Sequence, residues 1–103
     1  MRVVVLFNLK PDTDVAAYED WARSRDIPGV RALPSIDDFQ IYRTTGLLGG
    51  GAAPPYQYVE IIDIADMDGF MTDVAGAPSQ AVAREFRAFL GAEPFFMLTE
   101  PLA

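Results

Sequence analysis

The sequence predicts an α+β domain with the element order β-α-β-β-α-β. Its four strands form one antiparallel sheet, with the helices on one face. Three observations carry this reading. Two strands, 3–9 (VVVLFNL) and 56–64 (YQYVEIIDI), are rich in β-branched and apolar residues, as central strands covered on both sides are. Helical periodicity falls between the strands rather than at one end of the chain. The chain has 103 residues, half of them hydrophobic, which suits a single globular domain over 1–103.

Taken in order, the first strand ends at Pro11-Asp12-Thr13-Asp14, a run of helix N-capping residues and first-turn acids. A helix follows from Asp14 to Asp26. Val15, Tyr18, Trp21, Ala22 and Arg25 share one of its faces by the i, i+3, i+4, i+7 rule, and Pro28-Gly29 stops it. Residues 36–44 (IDDFQIYRT) alternate as a second strand. The connection 46–55 (GLLGGGAAPP) is rich in glycine and proline and exceeds the roughly 2–5 residues usual for a hairpin. It reads equally as an apolar lid or a plain linker. After the strand 56–64, Asp66 opens a short helix through Val74, interrupted by Gly76 and Pro78. Ser79 starts another helix that carries Val82, Ala83, Phe86, Phe89 and Leu90 on its apolar stripe and ends at Gly91. Residues 94–100 (PFFMLTE) form the last strand. This is the ferredoxin-like pattern. Right-handed crossovers are expected to place strands 3–9 and 56–64 side by side in the centre, as a parallel pair, with the other two at the edges.

Patterning also bears on assembly. Two helical regions cover one face of a four-stranded sheet, yet the central strands are apolar on both faces. A second copy of the chain is the simplest cover, so a homodimer with sheets face to face is expected.

Composition excludes several function classes. The chain contains no histidine and no cysteine. That removes thiol nucleophiles, Cys/His zinc sites, Ser-His-Asp triads and imidazole acid–base chemistry. With 8 basic and 15 acidic residues the net charge is −7, which argues against nucleic acid and anionic membrane as partners. No apolar run approaches the ~18 residues of a transmembrane helix. Met1 to Phe7 lacks the small-residue cleavage site of a signal peptide and reads as a strand of a cytoplasmic protein. The 46–55 loop lacks the phosphate-loop pattern. The acid pairs Asp37-Asp38 and Asp66/Asp68 suit strand alternation and helix capping better than a metal, so neither metal nor cofactor is expected.

Polar residues inside apolar strands are the informative ones, because burying them is costly unless they find partners. Asn8 interrupts the first strand and Glu60 the third. A carboxyl buried in an apolar sheet has a raised pKa and serves as a general acid or base. The plain structural alternative pairs Glu60 with a neighbour such as Arg43. A near-symmetric hairpin would set Arg43 across from Tyr56, with Phe39, Ile41 and Arg43 on the face of Tyr56, Tyr58 and Glu60. A one-residue slip would separate them. Trp21 and Tyr18 lie on the inward stripe of the first helix, where aromatics are usually core. Beside Tyr42, Tyr58 and Phe95, the Trp21 indole would instead stack an aromatic or pyrrolic ligand.

Three blocks, DVAAYEDWARSRDIPGVRALPSIDDFQIYRTTGLL (14–48), PPYQYVEIIDIADMDGFMTDVAG (54–76) and FMLTEPL (96–102), resemble the REDY-like, or HapK-type, family of the dimeric α+β barrel superfamily. The resemblance implies a face-to-face dimer. It also implies a place in prodiginine-type or related bacterial secondary metabolism, near formation of the bipyrrole unit. The superfamily includes cofactor-independent monooxygenases, isomerases and cyclases, and the resemblance transfers no catalytic residue.

Together these readings give a small cytoplasmic biosynthetic protein acting on an aromatic or pyrrole-type intermediate, by condensation or cyclisation without a cofactor. Glu60 would move the proton, and Arg43 and Asn8 would hold an oxyanion or carbonyl. Trp21, Tyr42, Tyr58 and Phe95 would rim the pocket. The alternative is a non-catalytic binder or chaperone of an unstable intermediate or partner enzyme. A monooxygenase would require a substrate that activates oxygen itself.

Overall fold

In the computed structural model, which describes residues 1–103, the elements follow the expected order. They are β1 (Arg2–Phe7), α1 (Val15–Trp21), a π-helical turn (Ala22–Asp26), α2 (Ile27–Arg31), β2 (Ile36–Arg43), β3 (Tyr58–Ile64), α3 (Met67–Ala75), α4 (Ala77–Ala88) and β4 (Phe95–Thr99). The sheet order is β2-β3-β1-β4, with β1 and β3 in the centre. No helix is long and apolar enough to cross a membrane.

β1 and β3 run antiparallel, not parallel as expected. The reason is topological. The first crossover makes β1 parallel to β2, and the β2–β3 connection makes those neighbours antiparallel. A central β1 lying beside β3 must then oppose it.

Element boundaries also differ from the sequence expectation, three of them with a clear consequence. The first strand stops at Phe7, so Asn8 follows β1 instead of interrupting it. Leu9 returns to a single bridge with Leu90. Pro28 does not stop the first helical region, which continues to Arg31. Proline is the second residue of α2, directly after the π turn, in a helical run that continues from Val15 to Arg31. Pro78 takes the same early position in α4, which therefore begins at Ala77 rather than Ser79.

Side-chain direction follows the pleat. Val3, Val5 and Phe7 of β1 point to the helices and are buried, as are Tyr58, Glu60, Ile62 and Ile64 of β3. With Phe39, Tyr18, Ala22, Phe86 and Leu90 they form the core. Phe7 stacks on Tyr58 with centroids 5.3 Å apart and meets Phe86 edge-on at 4.9 Å.

The other face carries no helix. One row across it reads Tyr42, Val59, Leu6, Phe95, and the next reads Gln40, Ile61, Val4, Met97. Tyr42 and Phe95 are each 55% exposed. Edge strand β4 is uncovered on both sides, since Phe96 and Leu98 are exposed as well.

Candidate active site

The site is built where α1 and the π turn cross β2 and β3. Asp14 caps α1 by accepting from the backbone N–H groups of Ala16 and Ala17 at 3.0 and 3.3 Å. The helix then lays Tyr18 and Ala22 on the sheet. In a regular α-helix, at about 100° per residue, Asp26 would lie about 80° round from Tyr18. The wider π turn brings it back onto the inner face, and Asp26 is 5% exposed.

Beneath these residues, β2 and β3 pair Arg43 with Tyr58, Ile41 with Glu60 and Phe39 with Ile62. The register is offset by two residues from the symmetric hairpin. An even offset preserves sidedness, so Arg43, Ile41, Phe39 and Glu60 do share the helix face. Between the layers lies a cavity of about 110 Å³. Tyr18, Ala22, Ile27, Ile41 and Tyr58 line it, with Glu19, Arg23 and Arg43 at the rim. No residue of the 46–55 loop contributes to the lining, so within one chain the loop is not its lid.

The rim is a closed polar network. Arg43 donates to Glu19 through Nε at 2.7 Å and Nη2 at 2.5 Å. Tyr58 donates its hydroxyl to Glu19 Oε2 at 2.8 Å, and Arg23 reaches Oε1 at 3.2 Å. The Arg43 hydrogen bonds, helped by Tyr58, hold the Glu19 carboxylate down to about 2. Burial, with the Glu19 carboxylate beside it, pushes the Tyr58 hydroxyl up to about 12.

The inner groups are the reverse, buried and unpartnered. Glu60 is 4% exposed and its Oε2 has no hydrogen-bond partner; the Tyr18 hydroxyl, on a residue fully out of solvent, has none either. Burial pushes the Glu60 carboxyl well above the usual carboxylate range, and the Asp26 charge adds to the shift. Burial alone raises Asp26 to about 7, no cation or donor opposing it. The Tyr18 hydroxyl is likewise raised, by burial first and then by the charges of Glu60 and Asp26. Tyr18, which lines the cavity, feels both carboxyls, and Glu60 feels Asp26; the two acids adjoin the cavity through their neighbours Ile41, Tyr58 and Ile27.

The residues singled out from sequence do not all meet. Glu60, Tyr58 and Arg43 belong to this region, but Arg43 pairs with Glu19 and not with Glu60 as the structural alternative expected. The helix places Glu19, one residue past Tyr18, directly over the edge of β2. Trp21 packs beside the core: its indole stacks on Phe86 with centroids 6.3 Å apart and donates to Glu85 Oε1 at 2.9 Å. Arg25, expected on the inward stripe, is exposed and clamps the same Glu85 at 2.7 and 2.6 Å, because the π turn rotates it away. Tyr42 and Phe95 lie on the opposite face of the sheet, where Phe95 meets Tyr56 edge-on at 5.9 Å. Asn8 anchors the returning loop, donating to Pro55 O at 3.0 Å and accepting from Gln57 N–H at 2.8 Å.

Sequence reasoning missed Asp26 and placed Tyr18 only in the core. No periodic signal marks Asp26 in the sequence, since a regular helix would turn it off the Tyr18 face. No three carboxylates converge as a metal site.

Layer order, sheet topology and cavity position define a ferredoxin-like α+β protein. A dimeric ferredoxin-like protein of unknown function from Thermobifida fusca superposes with a TM-score of 0.68 at 19% identity, over 93% of this chain and 89% of that one. The family model described as REDY-like protein HapK matches residues 1–102, and the chain belongs to that family. The crystal structure of HapK from Hahella chejuensis matches with a TM-score of 0.72 and 25% identity, over 100% of this chain and 98% of that one. SnoaB from Streptomyces nogalater, a cofactor-independent oxygenase, matches with a TM-score of 0.68 and 18% identity, over 98% and 94% of the two chains. Among curated proteins none matches this chain.

Proposed function

We propose that the protein acts in the cytoplasm on an aromatic or pyrrole-type intermediate of a prodiginine-like secondary-metabolite pathway, by a cofactor-free condensation or cyclisation. One observation carries the reading: a buried, unpartnered Glu60 carboxyl, across from Ile41 and two positions from Tyr58, which with Tyr18 wall the cavity. A carboxyl kept neutral by burial is a proton donor at neutral pH, and a substrate in the cavity would complete its hydrogen bonds. The pathway is what the resemblance to HapK-type proteins implies, and the chain belongs to that family. The functional unit we propose is a homodimer joined through the helix-free face. That face places Leu6 and Val59 between the exposed rings of Tyr42 and Phe95, and the Thermobifida fusca relative is described as dimeric. In this arrangement Tyr42 and Phe95 serve assembly, Trp21 braces α1 against α4, and Arg43 and Tyr58 form the mouth.

Incubation of purified protein with bipyrrole-precursor intermediates, followed by mass spectrometry under air and under nitrogen, tests the reading. Multiple turnovers in both atmospheres are expected. Glu60→Gln lowers kcat about 100-fold or more, the usual scale of a lost general acid, with a melting temperature at or above that of wild type. Full activity in a folded Glu60→Gln would remove Glu60 from the mechanism, and oxygen-dependent turnover would make the protein an oxygenase.

A second reading has its own observation. The cavity of about 110 Å³ is smaller than the ~300–1,000 Å³ of ordinary ligand sites. A binder that shields part of an unstable intermediate needs no more. It would protect about one equivalent per site, whereas an enzyme converts many.

A further inference from the structure

We infer that this cavity is built for an enolisable carbonyl compound, its oxygen received by the Tyr18 hydroxyl and the adjoining Glu60 carboxyl and its α-proton taken by Asp26. The inference rests on the reading of the same site given above and names its substrate class.

Two donors without acceptors are the starting point. Tyr18 Oη and Glu60 Oε2 are both buried and both unpartnered, and a buried polar group left without a partner destabilises the fold. They come from opposite walls, Tyr18 from α1 and Glu60 from β3. Tyr18 lines the cavity itself. Glu60 lies directly across from Ile41 and two positions along β3 from Tyr58, both of which line it. A phenol and a neutral carboxylic acid each offer one O–H. The ligand atom that satisfies both is an oxygen with two lone pairs and no proton of its own, a carbonyl. A substrate carboxylate would meet the charge of Asp26. A cation would leave both O–H groups without an acceptor. The remaining inner wall, Ala22, Ile27 and Ile41, is apolar.

Asp26 supplies the missing function. It sits on the π turn next to Ile27 and four residues from Ala22, both cavity residues. π turns inserted in helices are frequent at functional sites. Two neighbouring carboxyls do not ionise together, so the loss of a proton from Asp26 keeps Glu60 neutral and donating. A base and a two-donor oxyanion site are thus separated by environment. In the step, the α C–H bond breaks and its proton passes to the Asp26 carboxylate. The electron pair moves onto the carbonyl oxygen, and the enolate oxygen accepts hydrogen bonds from Tyr18 and Glu60. The proton returns at the same or a conjugated carbon in an isomerisation. In an aldol-type condensation, the enolate carbon attacks a second carbonyl and the new alkoxide takes the proton from Asp26.

The test uses full-length protein and two probes. 4-Nitrophenol reports the oxyanion site, since its phenolate mimics an enolate and absorbs in the visible. Asp26→Asn is expected to bind the phenolate at least tenfold more tightly than wild type, because a facing charge is gone. Adding Tyr18→Phe or Glu60→Gln to that variant should return at least tenfold of the affinity. 2-Butanone reports the base. Its α-proton exchange in deuterium oxide, followed by NMR, should be accelerated by wild type and fall about 100-fold in Asp26→Asn. Phenolate binding unmoved by either donor substitution, or exchange equal in wild type and a folded Asp26→Asn, overturns the inference. Such a result with turnover of the pathway intermediates intact leaves the general proton-transfer reading standing. Phenolate binding and exchange as expected, without pathway turnover, remove the pathway and keep the carbonyl site.

Discussion

Asp26→Asn stabilises the folded protein at pH 8 by roughly 2–4 kcal/mol, the scale set by a carboxyl raised from 3.8 to about 7 at about 1.4 kcal/mol per unit. The sign follows from where the protons go. With the folded pKa above the unfolded one, the folded state holds its proton more tightly. Its contribution is fully present below the unfolded value and is lost as pH rises through about 7. Asparagine does not ionise, so the gain shrinks to about 1–2 kcal/mol at pH 5 and vanishes near pH 3. Glu60 pulls wild-type stability in the same direction. Glu19, Asp63 and Glu85, each paired with an arginine and held low, work the other way. Their contribution is present above the ordinary carboxylate range and is lost on acidification. Wild type is therefore most stable in mildly acidic solution. Urea unfolding at fixed protein concentration, read through the single tryptophan Trp21, checks the difference. An equal shift at pH 5 and pH 8 would show that Asp26 is not held neutral by the fold.

That stability is given up in the one part of the core where carboxyls replace hydrocarbon. Tyr18, Asp26 and Glu60 are buried on the face of the sheet that also buries Phe7, Phe39 and Ile62. Polar groups that destabilise a fold and carry no structural hydrogen bond are characteristic of working sites. The paired groups of the rim differ in kind. Glu19 with Arg43, and Glu85 with Arg25 and Trp21, tie the helices to the sheet and to each other.

How much of this was legible varies with the rule that governs each residue. Strand and helix order followed from period-two and period-3.6 patterning, which local sequence encodes directly. So did Glu60, a charge inside YVEIIDI. The sharing of a face by Ile41, Arg43 and Glu60 survived an error of two residues in the hairpin, because sidedness has a period of two. The antiparallel β1–β3 pair is not local either, since it depends on combining the first crossover with the β2–β3 hairpin. Asp26 was hidden because a π turn leaves no periodic signature and Pro28 nearby suggested a helix end. Arg43's partner, Glu19, depends on the position of α1 over β2, a tertiary fact. Trp21, Tyr42, Tyr58 and Phe95 could be recognised as aromatic, but the register distributes them over two faces of the sheet.

Leu6→Glu converts the proposed dimer into monomers. Leu6 lies in the middle of the helix-free face, between Val59 and Phe95 along one row and beside Val4 along its own strand. Its nearest charged pair on that face, Arg2 with Asp63 at 2.8 Å, is already satisfied and sits at the far end of β1. A carboxylate at this position has no cation to meet, and burying an unpaired charge costs several kcal/mol. A two-fold interface repeats every substitution, so each dimer carries the penalty twice. Dimer affinity should fall about 1,000-fold or more, at about 1.4 kcal/mol per tenfold. The helix-side core, built on Val3, Val5 and Phe7 of the same strand, is left intact. Sedimentation equilibrium should give twice the chain mass of 11.3 kDa for wild type at micromolar concentration and the single mass for Leu6→Glu, with far-UV circular dichroism unchanged. A wild-type chain that sediments as a monomer removes the face-to-face dimer. A Leu6→Glu variant that stays dimeric moves the interface elsewhere, most directly to the uncovered β4 edge with Phe96 and Leu98.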